Sequence, residues 1–243
     1  MRICQCVRPK RANNTDPGGP LKNSCDDSWT WDVDEKNDSV RVYGSYGRSV
    51  LFHSDWSNGT VGVRGNRPLS GGRFYWEIDV SHRVFGTSLM FGIGSKRTSM
   101  QEYCFVNLIG QDQYSWGLNH KGVIYHAGNG VQYTEPFLEY TPTTVGLLFD
   151  SDEGTLTYFK DGVNLGVAFR DVKCSEGLYP MISSTAARTE MTLSVAKRTF
   201  LSLEDRCYST LVRQLNSKRD VDKLELPPWM RQELKSRQWW TLR

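Results

Sequence analysis

The chain has 243 residues, 38% hydrophobic and 12% aromatic, enough to bury a core and to exclude wholesale disorder. Its 30 basic and 27 acidic residues leave a formal net charge of +3, too balanced to mark a nucleic-acid or anionic-membrane surface. No run of about 18 apolar residues occurs, so no transmembrane helix is expected.

Residues 1–28 mix basic, Asn, Gly, Pro and Asp residues and read as a flexible leader. The start, Met1-Arg2-Ile3-Cys4-Gln5-Cys6, lacks the apolar stretch of a secretory signal. The six cysteines are therefore expected as reduced thiols in the cytosol or nucleus, and the sequons at Asn13, Asn37 and Asn58 as bare.

From Trp29 to about Val195 the chain reads as all-β. In Phe74–Val80, Phe74, Trp76, Ile78 and Val80 point one way and Tyr75, Glu77 and Asp79 the other, the period of a strand with one buried face. Leu89–Gly94 and Val145–Phe149 are short apolar runs suited to central strands. Thr155–Lys160 and Val163–Phe169 flank Asp161-Gly162, a hairpin signal because a type I′ turn needs positive φ at both central residues. Many short strands and 22 glycines predict a two-layer antiparallel β-sandwich over residues 29–198.

Residues 199–243 change character and predict a small helical unit. Ser202 can cap a helix carrying an apolar stripe of Leu203, Cys207, Leu211 and Leu215. Pro227-Pro228 then breaks the chain before a short second helix over Trp229–Leu234. Such a stripe packs back on the sandwich or binds a partner, and three tryptophans in so short a tail favour the partner.

Nothing in the sequence assembles a catalytic group. It holds no nucleophile elbow, no phosphate-cradling loop and no paired zinc histidines. His53, His82, His120 and His126 are scattered and read as surface or strand-end residues, so no metal and no cofactor are expected. Asp150-Ser151-Asp152-Glu153-Gly154 reads as an Asx-built turn, which leaves a sandwich hydrolase or lectin without a site.

Ser202–Leu211 resembles the elongin-binding box of SOCS-box proteins, and Leu224-Glu225-Leu226-Pro227-Pro228 the cullin-selecting box that follows it. Phe74–Ile78, Ser115–Leu118, Gly154–Phe159 and Leu178–Ile182 are similar to the hallmarks of a SPRY (B30.2-like) domain. The chain thus resembles the SPRY domain-containing SOCS box family. That resemblance implies a non-catalytic substrate receptor of a cullin-RING ubiquitin ligase. Leu203, Cys207, Leu211 and Leu215 would contact elongin C, and elongin B would follow as its partner. Leu224, Leu226, Pro227 and Pro228 would favour cullin 5 with its RING partner, although Glu225 stands where the family has its first Pro. The resemblance also implies a pocket for a short, Asn-containing target motif. Its positions are Ser54, Asp55 and Trp56, then Phe105, Leu108, Ile109 and Gly110, then Thr185, Ala186 and Ala187. Core packing is the competing role of Phe105, Leu108 and Ile109. Thr185-Ala186-Ala187 stands where several relatives carry Val-Trp-Gly, and Thr185→Trp or Phe105→Ala is expected to change target affinity while leaving the melting point within a few degrees. The alternative is a SPRY interaction scaffold that recruits no ligase.

Overall fold

A computed structural model describes residues 21, 24–199, 207, 211, 214, 215 and 217–235. Its strands form two stacked antiparallel sheets. The first runs β13 (Val163–Phe169), β12 (Thr155–Lys160), β11 (Thr143–Asp150), β5 (Arg73–Val80), β15 (Thr189–Thr199), β3 (Ser49–Phe52) and β2 (Val40–Tyr43), with β1 (Cys25–Asp26) also on β15. The second runs β10 (Asn129–Gln132), β9 (Val123–His126), β8 (Ser115–Asn119), β6 (Leu89–Gly94), β14 (Tyr179–Ser184), β4 (Thr60–Arg64) and β7 (Gln101–Glu102).

The period-two reading of β5 holds. Phe74, Trp76, Ile78 and Val80 enter the core between the sheets, where Trp29, Trp31 and Trp76 meet edge to face with centroids 5.2 and 6.2 Å apart. The outward Tyr75 is nevertheless buried, because Leu21 and Phe159 cover it on the outer face. The last residues assigned to the leader therefore belong to the fold. Leu21 is buried, Cys25–Asp26 pairs with Lys197–Arg198, and buried Asp27 forms an ion pair with Arg67.

The hairpin at Asp161-Gly162 has the expected geometry, with φ of 50° and 76° and Lys160 opposite Val163. The segment after Asp150 is the expected Asx turn: Asp150 Oδ1 accepts the N–H groups of Asp152 (3.1 Å) and Glu153 (3.0 Å).

His53 and His120 directly follow β3 and β8, the strand-end placement expected of them. His53 and His120 are buried, and burial holds both imidazoles below their ordinary pKa. His126 instead stacks on Trp116 at 4.5 Å.

In the tail, Cys207, Leu211 and Gln214 are helical, while Leu203 lies outside the described residues. Ser217 opens a 3-10 turn over Lys218–Lys223, its N–H and hydroxyl donating to the Asp220 carboxylate. The last described helix spans Pro228–Leu234, one residue earlier than expected; proline suits a first helical position, where its missing N–H costs nothing. Val221 and Leu234 are fully buried in a small cluster of their own, packed by Leu211, Leu215, Leu224, Leu226 and Met230.

Candidate functional site

One end of the sandwich gathers the loops 53–59, 83–88, 103–110 and 184–188. β3 and β14 both run toward this end and β4, β6 and β15 start from it, so those loops meet whatever their separation in sequence. Ser57 Oγ donates to the Thr185 carbonyl (2.6 Å), and Arg188 Nε donates to that of Ser54 (3.3 Å). His53 adopts a left-handed backbone (φ 48°), with its Nε2 3.2 Å from the Ser184 carbonyl. Arg83 Nε donates to the Ala187 carbonyl (2.9 Å), and its guanidinium lies 4.8 Å from the Phe85 ring centre.

Thr185 sits at the centre of this network rather than on its surface. It is 3% exposed; its hydroxyl accepts the Ser88 N–H (2.9 Å) and donates to the Ser88 carbonyl (3.0 Å). Ala186 is buried and Ala187 half-buried. The absence of a Trp here therefore leaves no empty rim position: a tight turn packed under loop 83–88 takes its place.

The 103–110 loop divides in two. Leu108 and Ile109 are buried, and Ile109 Cγ2 fills the space over the paired glycines Gly92 and Gly117, where a β-carbon on Gly117 would come within 2.8 Å of it. Gly110 has φ 90°, and a β-carbon there would lie 2.2 Å from the Tyr125 carbonyl oxygen, so only glycine fits. These three residues clamp the loop onto the outer face of the second sheet. Thr60 Oγ1 secures its front half, lying 2.8 Å from the Cys104 carbonyl and accepting the Val106 N–H at 3.1 Å.

The clamped backbone presents side chains to solvent. Trp56 is 85% exposed, Tyr103 81% and Phe105 49%, with Ser54, Asp55 and Asn58 exposed beside Trp56. Gly59 packs directly against the Glu102–Tyr103 backbone, which brings the Trp56 loop and the Tyr103–Phe105 segment to one edge. Three exposed aromatics on a rigid, hydrogen-bonded support are the composition of a protein-recognition surface. The sequence reading did not single out Tyr103, Arg83 or Arg188; Tyr103's place two residues before Phe105 was the available signal. Among the described residues no group of three potential metal ligands occurs.

In the tail, Cys207 is exposed, whereas Leu211 and Leu215 turn partly into the Val221–Leu234 cluster. Leu224 and Leu226 contribute to that cluster; Pro227, Pro228 and Trp229 remain exposed.

Two stacked antiparallel sheets with their loops gathered at one end make a β scaffold with an exposed aromatic edge. The chain belongs to the SPRY-domain family, whose model matches residues 73–196. SPRY domain-containing SOCS box protein 3 of Xenopus laevis is 31% identical over 242 residues, 98% of this chain and 66% of that protein. The Xenopus tropicalis protein of the same name is 34% identical over 88% of this chain and 59% of its own length. SPRY domain-containing SOCS box protein 1 of Homo sapiens is 28% identical over 67% of this chain and 62% of that protein. The resemblance to SPRY domain-containing SOCS box proteins is thus borne out, while the chain spans roughly three fifths to two thirds of these relatives' length. The SPRY domain of human HERC1 superposes with a TM-score of 0.55 at 16% identity, covering 68% of this chain and 97% of that one. The TRIM65 PSpry domain gives 0.52 at 17%, covering 68% and 90%. These two establish the fold.

Proposed function

We propose that the chain is the non-catalytic substrate receptor of an elongin–cullin ubiquitin ligase, acting in the cytoplasm or nucleus. The loop edge around Trp56, Tyr103 and Phe105 holds a short, Asn-containing segment of a target protein. Residues 199–243 recruit elongin C with elongin B, and then a cullin, cullin 5 by the Leu224–Pro228 segment, with its RING partner. The chain itself moves no bonds: it raises the local concentration of target lysines near the charged ubiquitin carrier.

The supporting observation is the co-occurrence, in one chain related to SOCS box proteins, of an exposed aromatic edge and a tail whose helix leaves Cys207 exposed. Leu203 and Cys207 are the anchors of that helix for elongin C. Leu211 and Leu215 serve two surfaces, since the tail's own cluster takes part of each. That shared packing favours a second reading, a SPRY scaffold whose tail is complete in itself.

Co-expression with elongin B and elongin C, followed by size-exclusion chromatography with mass determination, separates the two. A stoichiometric ternary complex, lost in Leu203→Ala/Cys207→Ala, is the result expected of the receptor. A folded chain that elutes alone leaves only the scaffold.

A further inference from the structure

Two buried histidines lie under the loop end of the sandwich, and one of them completes a strand ladder with its side chain. In a bonded antiparallel pair, two residues exchange both of their N–H···O bonds. Where β6 and β8 reach that end, the His120 N–H donates to the Leu89 carbonyl (2.9 Å), but the Leu89 N–H donates to the His120 imidazole at Nδ1 (3.2 Å). The His120 carbonyl is taken instead by the Phe137 N–H (2.8 Å). Nδ1 is therefore an acceptor, and the single proton of the neutral ring sits on Nε2.

That bond closes β6 at the point where loop 83–88 enters it. Ser88, one residue back, ties the loop to two others: it exchanges bonds with the Thr185 hydroxyl, its carbonyl accepts the Thr185 N–H (2.9 Å), and its Oγ donates to Asn107 Oδ1 (2.8 Å). A proton added at Nδ1 points a donor at the Leu89 donor, so charging the ring breaks the ladder bond. His53 differs: its Nε2 faces the Ser184 carbonyl and its Nδ1 has no partner among the described residues, so a proton there breaks no bond. Burial first, and the Lys121 charge next, hold the His120 imidazole below its ordinary pKa. The Leu89 and Gly86 backbone and the Glu139 carboxylate favour the charged ring, but the Leu89 N–H itself bonds only the neutral one. Arg83, the cation of the loop, is engaged with the Ala187 carbonyl and the Phe85 ring.

We propose that His120 is a proton-operated latch: the neutral ring holds loop 83–88 and the Thr185 turn on the β6–β8 ladder, and the charged ring releases them in acid. The inference rests on the proposed use of this edge for target binding only in what the latch regulates, the grip on the target segment. In the opened loop the ring meets water and titrates near its ordinary 6.5. Acid therefore drives opening between that value and the lowered closed-state value, and above pH 6.5 the latch stays shut. Within that window the open fraction grows up to about tenfold per pH unit, the dependence of one linked proton.

Amide hydrogen exchange of the isotope-labelled full chain, followed by NMR from about pH 5 to 8 and corrected for the intrinsic pH dependence of exchange, measures this opening residue by residue. Protection at Ser88, Leu89 and Thr185 should be level above pH 6.5 and fall up to about tenfold per unit below it, while Ile78 and Leu147 in the core keep theirs. His120→Gln removes the titrating group and should make protection at those three amides independent of pH, whereas His53→Gln should leave the fall in place. Lys121→Gln, at an exposed turn position, raises the closed-state pKa and should reduce the total fall. Protection level through the whole range, a parallel loss at Ile78 and Leu147, a fall retained in His120→Gln or one unchanged in Lys121→Gln would overturn the latch. The measurement needs neither a target nor elongin, so the latch and the ligase reading, which ternary assembly at neutral pH decides, can each fail without the other.

Discussion

Introducing a tryptophan at position 185 tests the packing of the loop edge. The substitution removes a hydroxyl that both accepts from and donates to Ser88, leaving the Ser88 N–H unpaired in the interior at a cost of about 1–3 kcal/mol. It also forces an indole into a site 3% exposed, where even a β-carbon on Gly86 would come within 3.2 Å of Thr185 Oγ1. Overpacking of that kind costs about 1–3 kcal/mol more. Together the two effects amount to about 2–6 kcal/mol, which for a domain of this size lowers Tm by roughly 5–20 °C. Thermal melting followed by circular dichroism reads the change directly. Phe105→Ala is the control: its ring is half exposed, so its loss should cost under about 1.5 kcal/mol while changing target affinity. A Thr185→Trp protein melting within about 2 °C of wild type would refute the buried placement of the turn and return position 185 to the binding rim.

Three further outcomes follow from the same geometry. Because His53 and His120 are held below their ordinary pKa of 6.5 by burial, the folded state resists protonation that the unfolded chain accepts. Stability should be level above pH 6.5 and fall below it, toward the lowered folded values, by up to about 1.4 kcal/mol per pH unit for each histidine. A His120→Gln melt series with an unchanged slope would exclude that residue as a source. Gly162→Ala meets no atom within 4 Å but must keep φ near 76°, so about 1 kcal/mol of strain should appear in denaturant unfolding; no loss would mean that the turn can change type. Leu234→Ala empties part of the small tail cluster and should cost that cluster about 2–5 kcal/mol, abolishing the tail's helical signal while the sandwich transition stays put. A single shared transition, shifted as a whole, would show that the tail and sandwich unfold as one unit.

What the sequence by itself determined is local. The alternation in Phe74–Val80, the Asp-Gly turn at 161–162, the Asx turn at Asp150 and the break at Pro227-Pro228 each depend on residues within a few positions of one another, where dihedral preference and period decide. The motifs that placed the chain among SPRY and SOCS box proteins are local strings of the same kind. Only the tertiary structure decided which members of a loop are seen by solvent. Phe105 and Ile109 are both apolar and four residues apart, yet Gly92 and Gly117, on strands β6 and β8, open the hollow that draws Ile109 in and leaves Phe105 out. Thr185 is buried because Ser88, 97 residues earlier in the chain, presents its backbone there, and His53 because Ser184 does the same. Leu211 and Leu215 share a spacing with Cys207, but Val221 and Leu234 turn the two leucines partly inward, leaving Cys207 in solvent. Burial is a property of pairs brought together by sheet order, and sheet order is fixed by the whole set of strands rather than by any one of them.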